Sequence, residues 1–110
     1  RNDLNKKYWT MSYPTKALIP MAKLVNEVND RDYSKVDKPA LFYFSMDDKV
    51  VDPKKIIKFI SNWGGKSTTK IVKLSNNDDK YSHVLAGDII SPNQTEHAIK
   101  TMVNWIKNLK

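Results

Sequence analysis

Five consecutive apolar or aromatic residues, Ala40-Leu41-Phe42-Tyr43-Phe44, leave this chain few ways to fold. A run of that length has no polar face to turn to water, which is the pattern of a strand covered on both sides in a parallel sheet. Parallel neighbours need long crossovers between them, usually helical. The flanking sequence supplies both. Thr68-Thr69-Lys70-Ile71-Val72-Lys73-Leu74 is rich in β-branched residues and reads as a second strand. Between the two, Ile56, Ile57, Ile60 and Trp63 fall on one helical face behind Asp52-Pro53, an N-cap followed by proline at the first helical position. Gly64-Gly65 is expected to close that helix with a left-handed cap.

Two more amphipathic stripes complete the pattern. Ala17, Leu18, Met21, Leu24, Val25 and Val28 predict a helix before the first strand, with Pro20 either in its first turn or kinking it. Ala98, Ile99, Met102, Val103, Ile106 and Leu109 predict a last helix, with several capping candidates in Asn93-Gln94-Thr95-Glu96. The first dozen residues mix Tyr8, Trp9, Met11 and Tyr13 with charges, show no clean period and read as irregular. The expectation is an α/β fold with two parallel strands, about 40–45 and 69–74, and helices about 15–28, 53–63 and 94–109. Two strands buried on both faces make a poor sheet, so further strands are expected beside them.

At 110 residues there is room for one small domain or a domain fragment, with no linker or repeat inside it. Hydrophobic residues at 40% against 28% charged suit a folded chain. The net charge of +7 comes from lysines spread along helix faces, with Arg1 and Arg31 the two arginines and no run of five like charges. Readers of DNA sequence lean on arginine, so nucleic acid is not the favoured partner. Without cysteine there are no disulfides, thiolate nucleophiles or Cys-based zinc sites. No apolar segment has the length of a signal peptide or a membrane helix. Because the chain opens on Arg1 and not on methionine, it reads as a piece of a longer protein, and the compartment stays open.

Chemistry concentrates at one sheet edge. In open α/β sheets ligands gather at the carboxyl ends of the strands, and Asp48 lies four residues after Phe44 while His83 lies nine after Leu74. A carboxylate bonded to one imidazole nitrogen fixes the tautomer and steadies the imidazolium formed when the other nitrogen takes a proton from a serine. The bland alternative has Asp48 only turning the chain and His83 on a surface loop. The nucleophile is missing. A serine on a sharp G-x-S-x-G elbow needs glycines four apart, whereas the glycines here are Gly64, Gly65 and Gly87. The same three positions build neither G-x-G-x-x-G nor a P-loop, so no nucleotide cofactor is expected.

The ordered combination of strand, Ser45-Met46-Asp47-Asp48-Lys49-Val50-Val51-Asp52-Pro53, helix, strand, Tyr81-Ser82-His83-Val84 and an amphipathic last helix resembles the carboxyl-terminal part of α/β-hydrolase-fold serine esterases and lipases. The likeness spans roughly residues 39 to 110, and Ser45, Asp48, Val50, Val51 and Pro53 fit the family's acid loop. Ser45 stands where glycine is commoner, and Asp52 is an extra position before the proline. The resemblance implies a partial three-layer fold, a carboxylic ester or thioester substrate, Asp48 as triad acid and His83 as general base. It also implies a nucleophile from the amino-terminal part of the same hydrolase. Asp47 competes for the role of acid, and Asp52 is expected to cap a helix. Tyr8, Trp9 and Tyr13 either line an acyl pocket or pack against the domain body. His97, beside Glu96, is expected at the surface, and a zinc site from His83, His97 and Asp78 or Asp79 matches no ligand template. The alternatives from other classes are a basic α/β binding module without chemistry and an inactive hydrolase-like scaffold.

Overall fold

The computed structural model describes residues 3–109. Arg1 and Asn2, read above as part of an irregular start, lie outside the described residues, as does Lys110. Two parallel strands, β1 (Ala40–Phe44) and β2 (Ser67–Ile71), pair in register from Ala40 opposite Ser67 to Phe44 opposite Ile71. A helix, α3 (Pro53–Ser61), connects them. This is an α/β arrangement around a two-stranded parallel sheet.

Strand β2 begins and ends earlier than the β-branched run 69–74 suggests, because a ladder reaches only as far as its partner. Strand β1 stops at Phe44, where the Ser45 hydroxyl accepts a hydrogen bond from the Asp47 amide and turns the chain. The last rung is Val72 N–H to the Phe44 carbonyl at 2.8 Å. Val72 is buried there, while Lys73 and Leu74 have no strand opposite.

Helix α3 starts as its sequence dictates, with the Asp52 carboxylate accepting from the Lys54 amide and Pro53 at the first position. It ends two residues short of 63, and its glycines play a different part from the expected left-handed cap. Among the described residues Gly87 is the glycine with positive φ. Gly64 and Gly65 are required by close approach instead. A Cβ on Gly64 would stand 1.9 Å from the Ser34 carbonyl oxygen, and one on Gly65 2.2 Å from that of Lys38. The 33–38 segment therefore lies directly on the glycine pair, and Gly64 N–H bonds the Tyr33 carbonyl.

That approach assembles an aromatic cluster. Phe42 of β1 meets Phe59 and Trp63 edge-on at 6.0 and 5.8 Å, and Tyr33 stacks on Trp63. The Trp63 indole donates to the Lys38 carbonyl. On the other face of the sheet, α4 (Thr95–Lys107) bonds Thr68 through the Trp105 indole. Leu41 is the register partner of Thr68, and neighbouring strand residues point to opposite faces, so α3 and α4 cover opposite sides.

Helix α2 (Leu18–Asn29) follows a 3-10 turn at Thr15–Ala17. Pro20 sits in its first turn, where the missing N–H costs nothing. Its apolar stripe is fully formed yet exposed from Leu18 to Val28. The opening residues are irregular only from Trp9 onward. Asp3–Tyr8 forms a short helix, α1, with Asp3 in the first turn and Lys6 and Lys7 in the last, and a Lys6–Asp3 ion pair at 3.3 Å. Its docked residue is the polar Asn5, 2% exposed, so an apolar period could not reveal it.

The apolar core is small. Phe44, Val72 and Ala98 are its buried members among the described residues, and β1 as a whole is half-buried, not covered on both faces. The accessible surface of 8704 Å² compares with roughly 6,200 Å² for a folded monomer of this mass. The radius of gyration is 16.1 Å where about 13 Å is usual for the length.

Candidate functional site

Both loops at the carboxyl ends of the strands are held by short-range polar contacts. At the end of β1, Ser45 is fully buried and Asp48 hangs in the turn that follows. One oxygen of Asp48, Oδ1, accepts from the amides of Val50 at 2.7 Å and Val51 at 2.9 Å. The other, Oδ2, lies 2.9 Å from Nδ1 of His83. The side chain of Asp48 is 6% exposed and that of His83 41%. Residues thirty-five apart in sequence thus meet across the loops, and Lys49 N–H bonds the Tyr81 carbonyl beside them.

Burial pushes the Asp48 carboxyl up. The Val51 amide, the His83 ring and the Val50 amide together outweigh it and hold the group below the ordinary carboxylate value. Asp48 is therefore ionised at neutral pH and accepts only, which requires the proton to sit on His83 Nδ1. The Nε2 atom is left for proton exchange. Asp47 is exposed and its amide is engaged by Ser45, so Asp48 is the acid that the geometry brings to the histidine.

The histidine loop has a frame that the sequence reading missed. Asp79 accepts from three backbone amides, Tyr81 at 3.2 Å, His83 at 3.1 Å and Val84 at 2.9 Å. Ser82 between them has φ of 52°, left-handed for a residue with a side chain, and its amide bonds the Asp79 carbonyl. Asp78 accepts from the Ser75 amide and hydroxyl, the Asn93 amide and the Gln94 side chain. The buried Ser91 hydroxyl receives the Asp79 amide and donates to the Val84 carbonyl. For both acids, burial is again outweighed by the hydrogen bonds received, and both carboxyls are held low. The available signal was local: aspartates followed within two to five residues by amides they reach, an Asx-turn pattern inside what looked like plain polar loop.

His83 lines a cleft of about 530 Å³ together with Trp9, Val50, Tyr81, Ile89 and Ile90. All three early aromatics are exposed, and of them Trp9 borders this cleft. His97 lies exposed on α4, and among the described residues no three His, Asp or Glu side chains come close enough to hold a metal ion. Asp52 caps α3. The deeply packed serines, Ser45 and Ser91, spend their hydroxyls on backbone groups. Among the described residues no helix is long and apolar enough to cross a membrane.

Comparison with known proteins adds nothing to this geometry: no family model, no curated protein and no solved structure matches the chain.

Proposed function

We propose that this chain contributes the acid and the general base of a Ser-His-Asp hydrolase acting on carboxylic esters or thioesters. The nucleophile, its elbow and the oxyanion hole come from a part of the protein outside these 110 residues. The observation that carries this reading is the 2.9 Å contact between Asp48 Oδ2 and His83 Nδ1, made by a carboxylate whose second oxygen is already tied to its own turn. In the reaction, His83 Nε2 removes the hydroxyl proton as the serine attacks the acyl carbonyl, then delivers it to the leaving alcohol or thiol. Asp48 keeps the imidazole in the Nδ1–H tautomer and stabilises the imidazolium between these two transfers.

The surface supports a missing body. About 2,500 Å² more area is exposed than in a folded monomer of this mass, an amount typical of large permanent interfaces. Much of the exposed apolar area lies along α2 and α4. The basic-module alternative gives the Asp48–His83 pair no task, and salt-sensitive binding of the chain to a polyanion would favour it.

The test uses the complete enzyme. Asp48→Asn and His83→Ala should each lower kcat on p-nitrophenyl esters by roughly 10⁴-fold with the fold intact, because each removes a member of the proton-transfer pair. The 110-residue chain alone should not be labelled by a fluorophosphonate. Wild-type turnover in both variants, or serine labelling of the lone chain, would remove the assignment.

A further inference from the structure

We propose that Asp79 is the positioning residue for His83: by gathering the amides on both sides of the histidine it sets where the imidazole stands relative to Asp48. The inference rests on the hydrolase reading for its catalytic consequence, but its structural content is independent of it. The hydrogen bonds of Asp79 go to the backbone of the loop and not to the ring. Its Oδ2 takes the amides of His83 and Val84, and Oδ1 takes that of Tyr81. Residues 81, 83 and 84 are thus fixed to one carboxylate, with Ser82 forced into a left-handed conformation between them.

The carboxylate is itself anchored. The Asp79 amide donates to Ser91 Oγ, that hydroxyl donates to the Val84 carbonyl, and the Val84 amide returns to the Asp79 carboxylate, so the three residues close a hydrogen-bonded ring beside the histidine. Ser91 is fully buried, which leaves the ring little room to move. One further bond, Lys49 N–H to the Tyr81 carbonyl, ties this unit to the acid loop. The Nδ1–Oδ2 distance is therefore the sum of two rigid turns, one centred on Asp48 and one on Asp79. Asp78 differs in kind, since its partners Ser75, Asn93 and Gln94 join the loop after β2 to the 3-10 turn (Pro92–Gln94) before α4 and leave residues 81–84 alone.

The decisive measurement is the tautomer of His83, read from ring ¹⁵N shifts in the full chain with labelled histidine, the signals assigned by their loss in His83→Gln. The wild type should show the Nδ1–H form, with a low-field Nδ1 proton. In Asp79→Ala that proton should be lost and the population should move toward Nε2–H. Asp79→Asn, which keeps one acceptor oxygen and sets its amide nitrogen against a backbone donor, should move the ratio part of the way, so it decides the matter if the alanine variant does not fold. Asp78→Asn should lower the melting temperature without moving the tautomer. An unchanged ratio in the folded Asp79 variants, or an equal change in Asp78→Asn, would overturn the proposal. In the complete enzyme Asp79→Ala should lower kcat tens of fold with little change in KM. A tautomer shift without any loss of turnover would leave the positioning role standing and count against the hydrolase reading.

Discussion

The loops at the carboxyl edge of the sheet and the helix α2 are built from the same chain, yet one is nearly saturated with partners and the other is bare. Around Asp48 and Asp79 the carboxylates take their backbone amides from residues close in sequence. The longer-range ties are few: Asp48 to His83, Lys49 N–H to the Tyr81 carbonyl, and the Asp79 amide to Ser91. Along α2 an apolar stripe of proper helical period faces outward, Leu24 being 62% exposed. Polar turn chemistry is short-ranged and completes itself locally, whereas apolar burial requires a second surface. The site can therefore be formed in a body that is not closed.

If the aromatic half of the molecule is what supports the loops, breaking it should have the largest effect on stability. Gly64→Ala places a methyl group 1.9 Å from the Ser34 carbonyl oxygen, a clash with backbone that no side-chain rotation relieves. We expect a loss of about 3 kcal/mol in chemical unfolding, among the larger effects of single substitutions. Gly87, with φ of 114° and nothing within 4 Å of a built Cβ, should cost roughly 1–2 kcal/mol as alanine, from backbone strain alone. Equal losses at the two positions would mean that the 33–38 segment does not press on the glycine pair.

These glycines also show where sequence reading stops. Strand β1 and the start of α3 followed from the apolar run and from Asp52-Pro53, because those signals are local. The use of Gly64 and Gly65 did not, since it is set by a loop thirty residues earlier and not by their own dihedral angles. The pairing of Asp48 with His83 was legible as two residues at one sheet edge. The frame from Asp79 was not read, because its one local signal, an aspartate a few residues before amides it can reach, has the same composition as a loop that merely solubilises. The start of the chain failed for a related reason: α1 docks through Asn5, and a hydropathy period carries no record of a polar anchor.

Acid should reverse the comparison by dissolving the polar end first. Asp48, Asp78 and Asp79 all have carboxyls held below the ordinary value in the folded chain. The unfolded chain then binds more protons near that value, so stability rises with pH there. Their contribution is complete above the ordinary aspartate value of about 3.9 and is lost as pH falls through the lower folded values. Amide exchange followed from about pH 5 to about pH 2 should show Tyr81, His83, Val84 and Asn93 losing protection while Val72, in the strand ladder, keeps its own. Simultaneous loss at all five would make the loops and the sheet one cooperative unit.

The smallest effect should come from the most conspicuous apolar residue. Leu24→Gln removes a large side chain from the middle of α2, but 62% of that residue already faces water and no α2 residue is buried. Glutamine and leucine have nearly equal helix propensity, so the 110-residue chain should change by no more than about 0.5 kcal/mol. If, as proposed, a nucleophile-bearing part outside these residues packs on α2, the outcome in the complete protein should differ. A leucine that fills an interface loses on the order of 2 kcal/mol or more when made polar, since its burial is forfeited and an amide is left without partners. The pair of measurements separates two meanings of an exposed stripe: a change confined to the complete protein would place α2 in a buried seam with the proposed nucleophile-bearing part, and no change in either identifies it as ordinary surface.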